Sequence, residues 1–189
     1  MSRKVVITGV PGVGKSTVID GALERLKELG REYWPISFGT AMFELASERG
    51  LVSDRDEMRR LDQDVQKELQ SGAARAIAQI SDDVIVDTHC TVKTPGGFLP
   101  GLPIWVLEEL KPDVFVLVET DPDQILGRRI LDESRIRDLE GYGEIRTHQE
   151  FNRFIAASYA MVSGCTVKII NNPDFLLEKA LADLVEVLR

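Results

Sequence analysis

Apolar and polar positions change period repeatedly along this chain, and the changes mark its elements. Val5-Val6-Ile7-Thr8 is an unbroken β-branched run, the pattern of a strand covered on both faces. A glycine-rich turn follows. From Val18, the residues Ile19, Ala22, Leu23, Leu26 and Leu29 then recur at helical spacing up to Gly30. Glu32 to Ile36 reads as a second strand interrupted by Pro35, with a short helix at Ala41 to Arg49. Ser53-Asp54 would cap a long helix in which Met58, Leu61, Val65, Leu69, Ala73, Ile77 and Ile80 repeat at three and four. Val84 to Asp87 is a third strand. A Gly- and Pro-rich loop is expected from Thr94 to Pro103, then a helix at Ile104 to Leu110 ended by Pro112, which lacks the N–H a helix needs. Val114 to Val118 is the most apolar strand. Helices are expected at Asp123 to Glu133 and Thr147 to Val162, with an irregular stretch from Ser134 to Gly143 between them. Strand Val167 to Ile170, the turn Asn171-Asn172-Pro173 and an amphipathic helix from Asp174 complete the chain.

Five apolar strands alternating with helices imply an α/β fold, a parallel sheet sandwiched by helices, with its ligand at the carboxyl ends of the strands. At 189 residues one domain is the expectation, and area scaling lets about 70% of the unfolded chain's surface be buried. The 43% hydrophobic content excludes a disordered class, and no run approaches the roughly 18 apolar residues of a membrane span. A cytoplasmic protein is expected. Twenty-three basic against 31 acidic side chains leave a net charge of −8, which opposes nonspecific binding to nucleic acid or to an anionic membrane. Any polyanion must therefore find a local pocket. Cys90 and Cys165 lack a C-x-x-C partner and read as buried thiols.

Such a pocket is written into the first turn. Gly9-Val10-Pro11-Gly12-Val13-Gly14-Lys15-Ser16, followed by Thr17, matches G-x-x-x-x-G-K-[ST] between a strand and a helix. The glycines let backbone N–H groups curl around a phosphate and the helix N-terminus adds its positive end. Lys15 reaches the β- and γ-oxygens, and Ser16 ligates Mg²⁺. A nucleoside triphosphate is the expected ligand. Asp87, closing an apolar strand at the same sheet edge, is the candidate carboxylate for the metal, and His89 just beyond it faces the cleft with its role open.

Between Arg128 and Arg153 lie six arginines, no lysine and six acids. A solvated surface would mix Lys with Arg. Arg128 on one helix, Arg135 and Arg137 in the loop and Arg153 on the next helix would converge on a transferring phosphoryl group. Residues 128–153 would then be a short lid that excludes water, hinged at Gly141 and Gly143.

With these residues in view, the chain resembles the nucleoside monophosphate kinases, specifically the archaeal type of adenylate kinase, from Lys4 to Leu188. The resemblance is carried by the phosphate loop at 9–17, Phe-Gly-Thr-Ala-Met-Phe at 38–43, Asp-Arg-Asp-Glu-Met-Arg at 54–59 and Asp-Thr-His at 87–89. Lys-Thr-Pro-Gly-Gly-Phe-Leu-Pro-Gly-Leu-Pro at 93–103 and Arg-Ile-Arg-Asp at 135–138 complete it. It implies a single P-loop kinase domain with strand order 2-3-1-4-5 and an AMP-binding region at about 37–80. It also implies reversible transfer between MgATP and AMP giving two ADP, and a homotrimer. Carried over by position, Gly39, Thr40 and Met42 would belong to the AMP pocket, Arg59 and Lys93 would hold the AMP phosphate, and Arg128, Arg135, Arg137 and Arg153 would form the phosphoryl clamp. Lys93 stands where arginine is frequent, so a point charge replaces a planar fork. Gln124 stands where bacterial relatives stack an arginine on the ATP base. The lid lacks the cysteine cluster of zinc-bearing relatives, so no structural zinc is expected.

Two other readings remain open at this stage. One is a kinase of another nucleoside monophosphate or of a small hydroxyl acceptor, for which Asp87 would have to serve as base. The other is an ATP- or GTP-dependent switch, although no N-K-x-D base-reading motif occurs.

Overall fold

A computed structural model describes residues 2–131 and 141–189. The elements, in chain order, are β1 (Lys4–Thr8), α1 (Lys15–Glu28), β2 (Trp34–Ser37), α2 (Phe38–Glu48), a 3-10 turn (Glu57–Arg60), α3 (Gln63–Ala78), β3 (Val84–Asp87), β4 (Thr91–Thr94) and β5 (Gly97–Pro100). They continue with α4 (Ile104–Leu110), β6 (Val114–Glu119), α5 (Pro122–Leu131), α6 (Tyr142–Ser163), β7 (Thr166–Asn171) and α7 (Leu177–Leu188). Five strands form one parallel sheet in the order β2-β3-β1-β6-β7. Counting that sheet's strands alone, this is the expected 2-3-1-4-5.

The sheet is covered on both faces because alternate residues of each inner strand point in opposite directions. Val5, Ile7, Val116 and Val118 pack with Val18, Ala22 and Leu26 of α1 and Leu181, Leu184 and Leu188 of α7. Val6, Val84, Val86, Phe115 and Leu117 pack with Ala73 and Ile77 of α3, Val106 and Leu110 of α4, and Ala156 and Tyr159 of α6. Each fully buried large apolar side chain contributes about 1.5–3 kcal/mol, so these two layers hold the strand ends that carry the chemistry.

Several elements differ from the sequence reading. The edge strands β2 and β7 are largely exposed rather than covered, because the helices pack over the three inner strands. The edge also accommodates Pro35. Trp34 donates its N–H to Asp83, so the next nitrogen along the strand faces the open side, where no ladder bond is lost. The long helix expected from Ser53 is broken at Leu61 and Asp62. Asp54 accepts from the N–H groups of Asp56 and Glu57, which starts only the 3-10 turn. Asp62 then caps α3 through the N–H of Asp64 at 2.9 Å. The break lets Met58 and Leu61 pack against a small cluster of Ala46, Val52 and Leu69.

Residues 94–100, expected as loop, instead pair with 91–93 in the antiparallel hairpin β4–β5, with Val92 opposite Leu99 and a two-residue Pro95-Gly96 turn. Helix α6 begins five residues earlier than expected, because Glu144 reaches back to the N–H of Gly141 at 3.1 Å. The last helix begins at Leu177, not Asp174: the Asp174 carboxylate is taken by Arg128, and Phe175 adopts a left-handed backbone with φ 64°.

Candidate active site

Strand β1 delivers the chain into the phosphate loop, and the glycines there are required by contact as well as by curvature. A Cβ on Gly9 would lie 2.6 Å from the carbonyl oxygen of Val118, and one on Gly14, whose φ is +84°, would lie 2.6 Å from Nδ2 of Asn172. The loop is thus pressed between the ends of β6 and β7. It opens on a cleft of about 880 Å³ whose walls come from the carboxyl ends of β1, β2 and β3, from α2 and α3, and from the hairpin.

Lys15 opens α1 and forms an ion pair with Asp87 at the end of β3. Burial pulls the Lys15 ammonium down to about 8. Adjacent Ser16 faces the same cleft. A hydroxyl and one carboxylate are hard oxygen donors of the kind that hold Mg²⁺ together with substrate phosphates. Among the described residues no cluster of three or more His, Cys, Asp or Glu forms a self-sufficient metal cage.

Two arginines of α5 grip the back of the loop. Arg128 donates to the carbonyls of Val13 and Asn172, each at 2.9 Å, and to the Asp174 carboxylate. Arg129, buried, donates to the carbonyl of Pro11 at 2.8 Å. Gln124 is engaged in structure: its Oε1 accepts from the Thr120 hydroxyl at 2.7 Å and from the Asp174 N–H at 2.9 Å.

Of the residues singled out from sequence, the cleft brings together Gly9 through Thr17, Gly39, Met42, Asp87 and Arg128. Thr40 lies beside it and accepts from Arg55 at 2.6 Å. Arg59 is exposed on the 3-10 turn, and Lys93 pairs with Glu144 at 3.1 Å. Arg153 grips the buried Glu119 with two contacts of 3.0 Å, at the rim of a second cleft of about 520 Å³. Arg135 and Arg137 lie outside the described residues.

The sequence reading missed Arg55, Gln66, Gln70, Val92 and Leu99, all of which line the cleft. Arg55 was one of three arginines in the charged run 54–60, and only the loop's path selects it. Val92 and Leu99 meet through the hairpin register, for which the Pro-Gly turn was the available signal.

His89 lines the cleft as an exposed residue, and its pKa is lowered, first by the partial loss of water around its ring and then by the charge of Lys15 and by His148. Between that lowered value and the ordinary 6.5, the unfolded chain binds the proton that the folded chain refuses, so folding stability falls as pH drops through this window. His89→Asn is expected to flatten the decline in melting temperature on acidification from pH 7 to 5. An unchanged slope would remove His89 as its source.

Comparison with known proteins agrees with this geometry. A protein-family model described as an AAA domain matches residues 8–146. The chain is 62% identical to the adenylate kinase of Methanoculleus marisnigri over the full length of both, and 53% identical to that of Methanocaldococcus jannaschii over 100% of this chain and 99% of the relative. Among solved structures, a shikimate kinase from Bacteroides thetaiotaomicron superposes with a TM-score of 0.56 at 16% identity, covering 98% of each chain. A gluconokinase from Sinorhizobium meliloti gives 0.50 at 15%, covering 98% of this chain and 93% of that one. These two likenesses speak for the fold alone. Identity of this extent across whole chains, joined to a phosphate loop whose lysine and carboxylate meet in one cleft, places the chain in the adenylate kinase family, as a nucleoside monophosphate kinase on a P-loop domain.

Proposed function

We propose that the cleft holds MgATP at the phosphate loop and AMP against α2, α3 and the hairpin, and that it carries the γ-phosphoryl group between them, reversibly, to give two ADP. The supporting observation is the cleft's lining: phosphate-binding backbone and Lys15 beside β1, and Ser37, Phe38, Gly39, Met42 and Arg55 on the β2 side, with β3 between the two strands. An oxygen of the AMP phosphate attacks the γ-phosphorus, the bond to the β–γ bridging oxygen breaks, and that oxygen leaves with ADP. The attacking oxygen is already ionised at neutral pH, so no base is required. A hydroxyl acceptor would need one, and the Asp87 carboxylate is already engaged by the Lys15 ammonium.

Ser16 and Asp87 would hold Mg²⁺, which neutralises phosphate charge when bound. Lys15 and Arg128 add fixed positive charge at the loop. Arg135, Arg137 and Arg153 would complete the clamp, with Arg153 exchanging Glu119 for phosphate as the lid closes. Arg59 and Lys93 would hold the AMP phosphate after a movement that brings them to the cleft.

A coupled assay of ADP formation tests the reading. ADP should form from ATP only when AMP is present, at two ADP per AMP consumed. ADP formed at the same rate without AMP would defeat it.

The resemblance further supports a cytoplasmic location and a homotrimer. No described helix is long and apolar enough to cross a membrane. Exposed large apolar side chains include Phe154, Met161 and Val162 on α6, Val167 and Ile169 on β7, and Ile104 at the start of α4. Light scattering should give a mass near three chains, and a mass near 21.1 kDa would sink the trimer.

A further inference from the structure

Gln66 and Gln70 stand one turn apart on α3 and both line the cleft. A side-chain amide can present either a donor or an acceptor, so which group each offers depends on what its other end is doing. For these two residues the choice is dictated by chemistry. The indole N–H of Trp105 can only donate, and it lies 2.9 Å from the Gln70 amide, so that contact takes the Gln70 carbonyl oxygen and leaves its NH₂. The backbone carbonyl of Leu61 can only accept, and it lies 2.8 Å from the Gln66 amide, so that contact takes Gln66 Nε2 and leaves its Oε1. Neither remaining group has a further hydrogen bond among the described residues. The indole is itself held in place, with the Lys67 ammonium 4.9 Å over its ring.

We infer that Gln66 and Gln70 read the base of the acceptor nucleotide, Gln66 accepting from an exocyclic amino group and Gln70 donating to the neighbouring unprotonated ring nitrogen. Adenine carries this pair of groups at N6 and N1. Hypoxanthine and guanine carry the inverse, a carbonyl oxygen beside a protonated nitrogen, so they would set acceptor against acceptor and donor against donor. Cytosine shares the adenine pattern, so the glutamines read the edge and not the size of the ring. The apolar side chains of Phe38, Met42, Val92 and Leu99 line the same cleft and would flank the faces of the base. The inference rests on the AMP reading above and deepens it: it assigns base selection to two amides whose orientation is set by Trp105 and by the helix-breaking segment at Leu61.

AMP and IMP match in size and differ in this edge, so they form the test, with ATP as constant donor. Wild type should favour AMP over IMP by at least about a hundredfold in kcat/KM, since a site built to hydrogen-bond one pattern rejects its inverse strongly. Gln70→Leu should lower kcat/KM for AMP at least tenfold with the KM for ATP unchanged. Gln70→Glu replaces the donor with an acceptor and should raise the IMP-to-AMP ratio at least tenfold. Trp105→Phe removes the N–H that orients Gln70 and should relax the same ratio with little change in melting temperature, an effect that a packing role alone would not produce. An IMP-to-AMP ratio that stays at the wild-type value in Gln70→Leu and Gln70→Glu, with transfer to AMP intact, would overturn the assignment. Wild-type protein that forms no ADP from ATP and AMP would defeat the underlying AMP reading instead.

Discussion

Replacing Lys15 by methionine is expected to lower kcat/KM for ADP formation by about 10²–10³-fold or more, the loss that follows removal of one preorganised charge from a transferring group. Methionine keeps the unbranched shape of the side chain and deletes only the ammonium. That ammonium is half-buried at the first turn of α1, with its pKa pulled down to about 8, so solvent substitutes for it only in part. The fold should survive. The substitution relieves the burial cost of one charge and leaves the Asp87 carboxylate without its counter-charge, two effects of opposite sign at a pair that opens on the cleft. Lys15→Arg should rescue poorly, because a planar fork is longer and wider than the point charge that the loop encloses. Steady-state kinetics in both nucleotides, with melting curves alongside, provide the check. Near-normal kcat/KM in Lys15→Met would mean that Lys15 serves the Asp87 pair and not the phosphates.

The second large effect is expected at Arg135 and Arg137. If they bind charge that develops only while the phosphoryl group is between donor and acceptor, Arg135→Lys and Arg137→Lys should each lower kcat far more than they raise KM. A transition-state arginine is worth on the order of 10³ to 10⁵ in rate, whereas an exposed ion pair contributes about 0 to 1 kcal/mol of stability. Lysine keeps the charge and removes the fork, so the substitution separates geometry from net charge. Wild-type kcat in both variants, with the melting temperature lowered by a degree or two, would return these arginines to the solvated surface.

Arg128 shows why the clamp as a whole was only partly legible. Its type and its place on a helix after the fourth strand of the sheet could be read from sequence. Its bonds to the carbonyls of Val13 and Asn172 and to Asp174 join segments more than forty residues apart, which no local pattern encodes. The Asp54 and Asp62 caps tell the same story. Both have the cap chemistry, and the sequence reading chose the first, but the Ala46, Val52 and Leu69 cluster is reached only if the chain turns sharply between them. The hairpin from Thr94 onward was read as loop because glycine and proline dominate it, although Pro95-Gly96 is itself the two-residue turn that pairs Val92 with Leu99.

By itself, the sequence determined what local chemistry determines. A β-branched run ending in G-x-x-x-x-G-K-S makes a strand, a phosphate loop and a helix in that order. Alternating apolar strands and helices make a parallel sheet, and a carboxylate closing the third strand must emerge at the same edge as the loop. These follow from side-chain size, backbone freedom and the period of apolar positions, which act over a few residues. Only the tertiary structure decided which of three neighbouring arginines lines the cleft, where the helix after Ser53 breaks and which way two glutamine amides are turned. Each of those outcomes depends on a partner distant in sequence: Thr40 for Arg55, the Leu69 cluster for the break, and Trp105 for Gln70. The packing of the whole domain supplies those partners.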